Sequence, residues 1–326
     1  MRPPDFWYGK GRASYILRGF LGPAAMIYRV MSSMRFRLTS PTRANVPVIC
    51  IGNLTVGGTG KTPVAIAIAD LCAKAGIKPA ILLRGYRGRL PGPLVVTAAH
   101  NAMEVGDEAL MHAARHLTIV SGDRVKGAAL AVAQGARIIV MDDGFQNPRL
   151  AKDLSLVVID AETGFGSGEI FPLGPLREPA AQGLTRAQGI ILMGDGNAPP
   201  EAMASGLPLF RAHLAPENGD AFTGKKVVAF AGIGRPEKFF AALEACGATV
   251  VARHSFDDHQ LIAQAVIDSL CEEARKQDAV PVTTEKDFFR LAKKPAGIRV
   301  LKVNAVFDDQ AALLKLITPL LARAKS

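Results

Sequence analysis

The chain has 326 residues, 49% of them apolar, so it can bury a sizeable core and is expected to form about two domains. Its formal net charge of +10 favours an anionic partner, such as nucleic acid, acidic lipid or a phosphorylated substrate. The four cysteines form no CxxC pair and have no metal-ligand spacing, which is typical of reduced structural thiols in a cytosolic protein and gives no sign of a zinc site.

The first part of the chain, residues 1–45, is basic and rich in aromatic residues. Residues 1–69 hold a single acid, Asp5, against nine Lys and Arg residues. Apolar residues recur at helical spacing, at positions 16, 20, 24, 27, 31, 34 and 38, which predicts an amphipathic helix bent at Gly22-Pro23. Its longest uncharged run, residues 19–28, is about half the roughly 20 residues that a membrane span needs. The pattern therefore predicts an interfacial helix on an anionic membrane surface, with a helix packed on its own domain as the alternative.

A glycine-rich segment, TVGGTGKT, follows the apolar run 48–51 and precedes the apolar-periodic segment 64–72. Strand, glycine turn and helix in this order are what a phosphate-binding loop requires, because backbone N–H groups and the helix start can close around phosphate oxygens. Lys61 is placed to reach the β- and γ-phosphates, and the Thr62 hydroxyl to ligate Mg²⁺. The usual pattern begins with glycine, where this chain has threonine. The residues predicted to bind a nucleoside triphosphate are Thr55, Val56, Gly57, Gly58, Thr59, Gly60, Lys61 and Thr62.

From residue 46 onward, short strand-like runs alternate with helical segments. This pattern predicts an α/β fold with a P-loop NTPase-like, mostly parallel sheet that carries helices on both faces. A polar, turn-rich stretch at 215–225 marks a boundary, after which a second and smaller α/β domain begins. The predicted divisions are 1–45, 46–218 and 219–326, and it stays open whether the C-terminal helix packs back on the first domain. Predicted strands cover 46–51, 79–83, 94–97, 117–120, 137–141, 154–159, 189–193, 227–231, 248–252, 280–283 and 299–303, and predicted helices cover 61–75, 104–114, 123–134, 236–246, 259–275 and 310–322.

Ligands of such sheets gather beyond the carboxyl ends of the strands, so polar clusters in those positions carry functional weight. Asp142 and Asp143 follow the predicted strand 137–141, at the place of a Walker B carboxylate that holds Mg²⁺ or its water. Helix capping is the alternative role for these two aspartates.

Three other clusters follow predicted strands or begin predicted helices. The basic loop 84–89 suits a phosphate or a sugar, or is a solvated turn. Arg124 is free to bind an anion, beside Asp123, which suits a helix cap. Taken alone, Asp107 with Glu108 is typical of an exposed helix start.

Several short segments occur in a fixed order along the chain: VGGTGKTP at 56–63, RGY at 84–86, VGDE at 105–108, DDGFQ at 142–146, GPLREP at 174–179, DH at 258–259 and TTEKD at 283–287. In this order they resemble the tetraacyldisaccharide 4′-kinase family of lipid A biosynthesis. The resemblance implies transfer of a phosphoryl group from ATP, with Mg²⁺, to the 4′-hydroxyl of an acylated glucosamine disaccharide 1-phosphate. The product would be lipid IV A, made at the cytoplasmic face of the bacterial inner membrane by a peripheral or monotopic protein that binds no nucleic acid.

The same resemblance assigns roles to individual residues. It implies that Asp107 is the catalytic aspartate, that His259 is its partner from the second domain, and that Lys61 acts with them. A carboxylate suits the role of general base because a sugar hydroxyl must lose its proton as it attacks phosphorus. The residues expected to contact substrate are Arg84, Tyr86, Arg124 and Arg177. Those expected near the metal are Thr62, Asp142, Asp143, Gln146 and Glu178.

Two other classes of protein remain as alternatives. P-loop ATPases or GTPases of the partitioning or metallochaperone type also carry a GGxGKT loop, but many have an extra lysine where this chain has Val56, and they lack GPLREP and TTEKD. A nucleic-acid-binding module would account for the positive charge, although the sequence contains no recognisable helix-turn-helix, RNA-binding or zinc-finger signature.

Overall fold

Two sheets form the framework of the protein. The computed structural model describes residues 4–8, 12–258 and 260–325, without the side chains of residues 5 and 12–18. The strands in this part of the chain are β1 (Val48–Gly52), β2 (Pro79–Leu83), β3 (Leu94–Val95), β4 (Leu117–Val120), β5 (Ile138–Asp142), β6 (Leu154–Asp160), β7 (Gly189–Met193), β8 (Leu209–Pro216), β9 (Lys226–Ala231), β10 (Thr249–Ser255), β11 (Val280–Thr284), β12 (Arg299–Leu301) and β13 (Val303–Phe307).

The α-helices separate most of these strands. They are α1 (Arg12–Arg37), α2 (Lys61–Lys74), α3 (Ala102–Val105), α4 (Asp107–Ala113), α5 (Arg124–Ala133), α6 (Ala180–Leu184), α7 (Pro200–Ala204), α8 (Pro236–Ala245), α9 (Gln264–Lys276), α10 (Glu285–Arg290) and α11 (Gln310–Lys325). The predicted helix 259–275 thus begins at Gln264. The predicted helix 104–114 is two short helices, because Gly106 adopts φ 88° and interrupts the helical backbone.

The larger sheet has the strand order β13-β8-β7-β6-β1-β5-β2-β4-β3. All of its pairings are parallel except those of the edge strands β3 and β13. Every residue of β1 is buried, since alternate side chains enter the hydrophobic cores on opposite faces of the sheet. Helices α2 and α11 cover one face and α5 and α6 the other. The predicted fold class, a mostly parallel sheet with helices on both faces, is confirmed.

The smaller sheet is parallel throughout, with the order β10-β9-β11-β12. Helix α8 packs Phe240 and Leu243 on one face, and α9 packs Ile267 and Leu270 on the other. It is therefore a second α/β layer with its own core, as the sequence pattern predicts.

The chain returns to the larger sheet after the smaller one ends. The predicted strand 299–303 is divided at Lys302: β12 belongs to the smaller sheet, and β13 pairs antiparallel with β8, from Val303 opposite Pro216 to Phe307 opposite Ala212. Helix α11 then buries apolar residues against the core that contains α2, each worth roughly 1.5–3 kcal/mol when fully buried. The second domain was predicted to cover residues 219–326. In the structure, residues 303–325 pack with the first domain instead.

Helix α1 lies along the first domain with one face outward. Its inner face is held by Tyr28, whose ring lies 5.6 Å from that of Phe171. Trp7, which precedes the helix, contacts the same loop, because its ring N–H donates to the Pro172 carbonyl at 3.1 Å. The helix runs through Pro23 without interruption. Six apolar side chains of the helix are exposed, and Leu38 is exposed directly after the helix ends: the six are Phe20, Met26, Ile27, Val30, Met31 and Met34. Within the described residues, no helix is both long and apolar enough to span a membrane.

Candidate active site

The segment 55–62 forms a tight loop between β1 and α2. Gly57 and Gly60 have φ of 123° and 84°, in the left-handed region that side chains rarely adopt, which explains glycine at both positions. The loop is braced from the side: the N–H of Val56 donates to the Pro175 carbonyl at 2.7 Å. Helix α2 begins directly at Lys61, so its free N–H groups and partial positive charge face the loop. This is the backbone arrangement of an anion site for phosphate.

Two carboxylates end the neighbouring strand β5 beside this loop. The Thr62 hydroxyl donates to Oδ2 of Asp142 at 3.3 Å, and Nζ of Lys61 lies 3.7 Å from Oδ1 of Asp143. Burial acts to raise the pKa of Asp143, but the charges of Lys61 and Arg177 outweigh it and hold that pKa below its ordinary value. The structure therefore brings the predicted loop residues and both predicted aspartates together, with Asp143 ionised.

Gln146 and Glu178, predicted to lie near the metal, form a brace behind the loop. The amide of Gln146 donates to the Asn53 carbonyl at 2.8 Å and to Glu178 at 3.1 Å. Arg186 donates to the other oxygen of the Glu178 carboxylate at 2.6 Å. Arg177 donates to the side-chain oxygen of Gln146 at 3.4 Å. These contacts fix the backbone that precedes the phosphate loop.

Asp107 is buried at the first position of α4, and is not the exposed helix start that its local sequence suggests. Its Oδ1 accepts the Glu108 N–H at 2.9 Å, and its Oδ2 lies 2.6 Å from Nε and 2.5 Å from Nη2 of Arg290 on α10 of the second domain. Arg290 also donates to Asp287 at 3.0 Å. His259, predicted to be the partner of Asp107, lies outside the described residues.

The residues predicted to contact substrate are in different environments. Tyr86 is 63% exposed and Arg84 is exposed, both on the loop after β2. Arg124 is buried, and burial lowers its pKa to about 10, with the opposing charge of Asp143 and the like charge of Arg84 close enough to contribute. Arg177 donates to Asp143 at 3.3 Å. The positively charged side chains of the site thus range from the buried Arg124 to the exposed Arg84.

Three further residues of the site receive no role from the sequence, although Glu108 belongs to the VGDE segment. Glu108 is half-buried; burial raises its carboxyl pKa, the charges of Asp142 and Asp107 add to the shift, and those of Lys286 and Lys61 oppose it. His112 is fully buried with Nε2 2.9 Å from Asp142. Arg290 lies only three residues after the TTEKD segment, and this closeness could have pointed to it as a site residue. The sequence around His112 is an apolar helical run and contains no such signal.

The fold and these contacts define a P-loop nucleotide-binding protein, with a buried carboxylate and a row of cations beside the phosphate loop. A family model described as Tetraacyldisaccharide-1-P 4′-kinase matches residues 17–322. The tetraacyldisaccharide 4′-kinase of Rhodospirillum centenum is 46% identical over 328 residues, covering 99% of this chain and 97% of the relative. That of Methylobacterium radiotolerans is 48% identical over 324 residues, covering 97% and 98%. The chain belongs to the tetraacyldisaccharide 4′-kinase family.

A solved structure agrees with this membership. The crystal structure titled as the "apo" form of LpxK from Aquifex aeolicus in complex with ATP superposes with a TM-score of 0.75 and 26% identity, covering 94% of this chain and 99% of that one. The predicted family, transferase class and use of ATP are confirmed. Membership of this family excludes the partitioning-type alternative.

Proposed function

We propose that this site transfers the γ-phosphoryl group of ATP to the 4′-hydroxyl of a tetraacyldisaccharide 1-phosphate, giving lipid IV A. One observation carries the proposal: α4 holds Asp107 at its start and, through His112, is bonded to Asp142, the same carboxylate that accepts from Thr62. A candidate general base and the phosphate loop therefore belong to one rigid unit. Phosphoryl transfer depends chiefly on such positioning and on charge neutralisation.

The donor set fits Mg²⁺. Oδ1 of Asp142 is buried and has no hydrogen-bond partner among the described residues. The Thr62 hydroxyl donates its hydrogen to Oδ2 of Asp142, so the lone pairs of the Thr62 oxygen are available to a cation. In the described part of the chain, no group of three or more His, Cys, Asp or Glu side chains could hold a metal by itself. Mg²⁺ commonly combines one or two protein oxygens with substrate phosphates and water. When bound, it would neutralise charge on the β- and γ-phosphates, with Thr62 and Asp142 nearest to it and Asp143 beside Lys61.

In the transfer step, the 4′-oxygen forms a bond to the γ-phosphorus, and the bond from that phosphorus to the β–γ bridging oxygen breaks, with ADP leaving. The 4′-hydroxyl proton passes to the Asp107 carboxylate, and we assign His259 to orient that carboxylate or share the proton. Lys61 stabilises the charge that develops on the phosphates. Arg84, Tyr86, Arg124 and Arg177 are assigned to the phosphorylated acceptor.

The proposed activity is tested by γ-phosphate transfer from labelled ATP to the lipid acceptor, with chromatographic identification of the product. We expect Asp107→Asn to lower kcat by about 10²–10⁴-fold, because the general base is lost. His259→Ala should lower kcat by up to about 10²-fold, and ATP binding should be unchanged in both variants. Chelation of Mg²⁺ should abolish transfer. Absence of a phosphorylated lipid product with the wild-type protein would refute the function, and wild-type turnover by Asp107→Asn would refute the role of the aspartate alone.

We also propose that the exposed apolar face of α1 lies on an anionic membrane surface at the cytoplasmic face of the inner membrane. Support comes from its exposed side chains and from the basic residues Arg29, Arg35 and Arg37 beside them. Met31 is 67% exposed on this face, and Met203, 68% exposed on α7, gives a matched control.

Sedimentation with anionic vesicles tests this location. Met31→Asp should weaken binding about tenfold or more, because insertion of one apolar side chain contributes roughly 1.5–3 kcal/mol. Met203→Asp should bind like the wild type. Equal sedimentation of the wild type and Met31→Asp would argue against this use of the helix.

A further inference from the structure

His112 makes a contact that the reaction outlined above does not use. The side chain is fully buried on α4, and its Nε2 lies 2.9 Å from Oδ2 of Asp142, whose side chain is 2% exposed. The same oxygen accepts from the Thr62 hydroxyl at 3.3 Å. Oδ1 of Asp142 has no hydrogen-bond partner among the described residues. Both donors therefore meet on one oxygen of Asp142, and the other oxygen is left available.

The chemistry of the pair assigns the hydrogen of the imidazole. An ionised carboxylate only accepts hydrogen bonds, so Nε2 of His112 must be the donor. Nδ1 is buried without a partner in the described part of the chain, and the tautomer with hydrogen on Nε2 leaves no unpaired N–H there. Two donors on Oδ2 oppose rotation of the carboxylate about its Cβ–Cγ bond. The direction of Oδ1 is thereby fixed.

We propose that His112 is a positioning residue for the Mg²⁺–ATP site. It holds Asp142 so that Oδ1 and the lone pairs of Thr62 are presented together to the cation or to a water bound to it. The contact also fixes α4, and hence Asp107 at its start, relative to β5. The inference rests on the proposed Mg²⁺-dependent phosphoryl transfer and adds a residue that acts through Asp142. Such outer partners commonly change metal affinity or activity by about 10–100-fold when they are removed.

The test compares a variant that keeps an N–H donor with one that lacks it. His112→Gln retains a donor of similar reach, and His112→Leu replaces the ring with an apolar side chain of similar volume. Calorimetry measures binding of a non-hydrolysable ATP analogue at increasing Mg²⁺ and, separately, in EDTA. Thermal unfolding of each ligand-free variant reports folding. If His112→Leu does not fold, His112→Met, with its adaptable side chain, serves as the donor-lacking variant.

We expect the donor-lacking variant to need about tenfold or more Mg²⁺ for half-maximal analogue binding, with His112→Gln staying within about threefold of the wild type. Affinity in EDTA should change little in either. Wild-type Mg²⁺ dependence in a folded donor-lacking variant would overturn the inference, as would equal shifts in both variants or an equal loss in EDTA. Failure of the wild type to phosphorylate the lipid would instead overturn the proposed function, so the two failures are distinct.

Discussion

Arg124 is a buried cation within electrostatic range of Asp143. It is 4% exposed, its Nη1 donates to the Ser121 carbonyl, and its Nε has no hydrogen-bond partner among the described residues. Burial lowers the pKa of its guanidinium to about 10, while Asp143 opposes the shift. Because burying a charge costs free energy, the incompletely bonded guanidinium supports the proposed role of Arg124 in binding an anion.

We therefore expect the charge of Arg124 to contribute more to binding of the phosphorylated lipid than to the free energy of unfolding. Arg124→Met keeps an unbranched side chain and removes the charge. We expect the free energy of unfolding to stay within about 1 kcal/mol of the wild type or to rise, because the lost hydrogen bond is offset by relief of desolvation. The KM for the phosphorylated lipid should rise about tenfold or more, since a hydrogen bond to a charged group contributes roughly 1.5–3 kcal/mol. Urea unfolding and steady-state kinetics measure the two effects.

Arg149→Met is the matched control for this substitution. Arg149 pairs with Asp123 at 3.2 Å, but its side chain is 57% exposed, so its ion pair contributes little. Neither KM nor stability should change appreciably in that variant. An unchanged KM in Arg124→Met would show that this arginine does not bind the acceptor.

Single residues were predictable where a motif carries its own geometry. Lys61, Thr62 and Asp142 meet as the sequence predicts, because strand, loop and helix fix their directions. His112 was not predictable, and the short distance of Arg290 from TTEKD marks its position but not its contact, since these residues act through partners 30 and 183 residues away in the chain. Their roles follow from tertiary packing, which a short motif does not encode.

At the scale of elements, the loop 84–89 packs closely against the turn between α3 and α4. This close packing is possible because each of them has a glycine, without a Cβ, at the point of contact. A Cβ on Gly88 would lie 2.7 Å from the Glu104 carbonyl oxygen, and one on Gly106 would lie 2.5 Å from the Tyr86 carbonyl oxygen. The RGY and VGDE segments are thus one packed unit at the start of α4. This unit fixes where Asp107 begins its helix.

Gly88→Ala should disturb this unit. The added methyl group meets backbone on the facing turn, which cannot rotate away, so we expect a loss of about 1–3 kcal/mol of stability from overpacking. Activity should fall as well, because the start of α4 moves. Thermal unfolding and the transfer assay measure these effects.

Gly297→Ala is the control, since a Cβ there has no atom within 4 Å among its surroundings in the described chain. Its thermal midpoint should match that of the wild type. Equal midpoints for both alanine variants would contradict the close packing of loop 84–89.

Elements were predictable where their own residues decide them. The central strands are continuous apolar runs, such as 138–141 in β5, and parallel strands buried on both faces have this composition. Strand β13 is an edge strand, and it pairs with β8 although Pro216 and Val303, which lie opposite each other, are 87 residues apart in the chain. The division at Lys302 was therefore invisible locally, because 299–303 satisfies the pattern of a single strand.

At the scale of the whole molecule, the two domains meet through ion pairs of opposite character. Arg290 and Asp107 have side chains that are 6% and 8% exposed, and Asp287, which also accepts from Arg290, is 1% exposed. Arg235 of the second domain lies 3.1 Å from Asp160 and 2.8 Å from Glu162, and the side chains of Arg235 and Glu162 are 35% and 63% exposed. The first contact holds the candidate general base, and the second lies at the solvent boundary.

This difference predicts unequal effects of breaking the two contacts. Arg290→Met should cost about 3–5 kcal/mol of unfolding free energy, because it removes the guanidinium that pairs with the buried carboxylates of Asp107 and Asp287. Arg235→Met should cost at most about 1 kcal/mol, because solvent screens an exposed pair. Adding Asp107→Asn to Arg290→Met should restore part of the loss, since one of the two buried negative charges is then removed. Urea unfolding of five proteins, the wild type, the three single variants and the double variant, measures these effects. Equal losses in the two arginine variants, or strict additivity in the double variant, would show that the buried contact does not join the domains in this way.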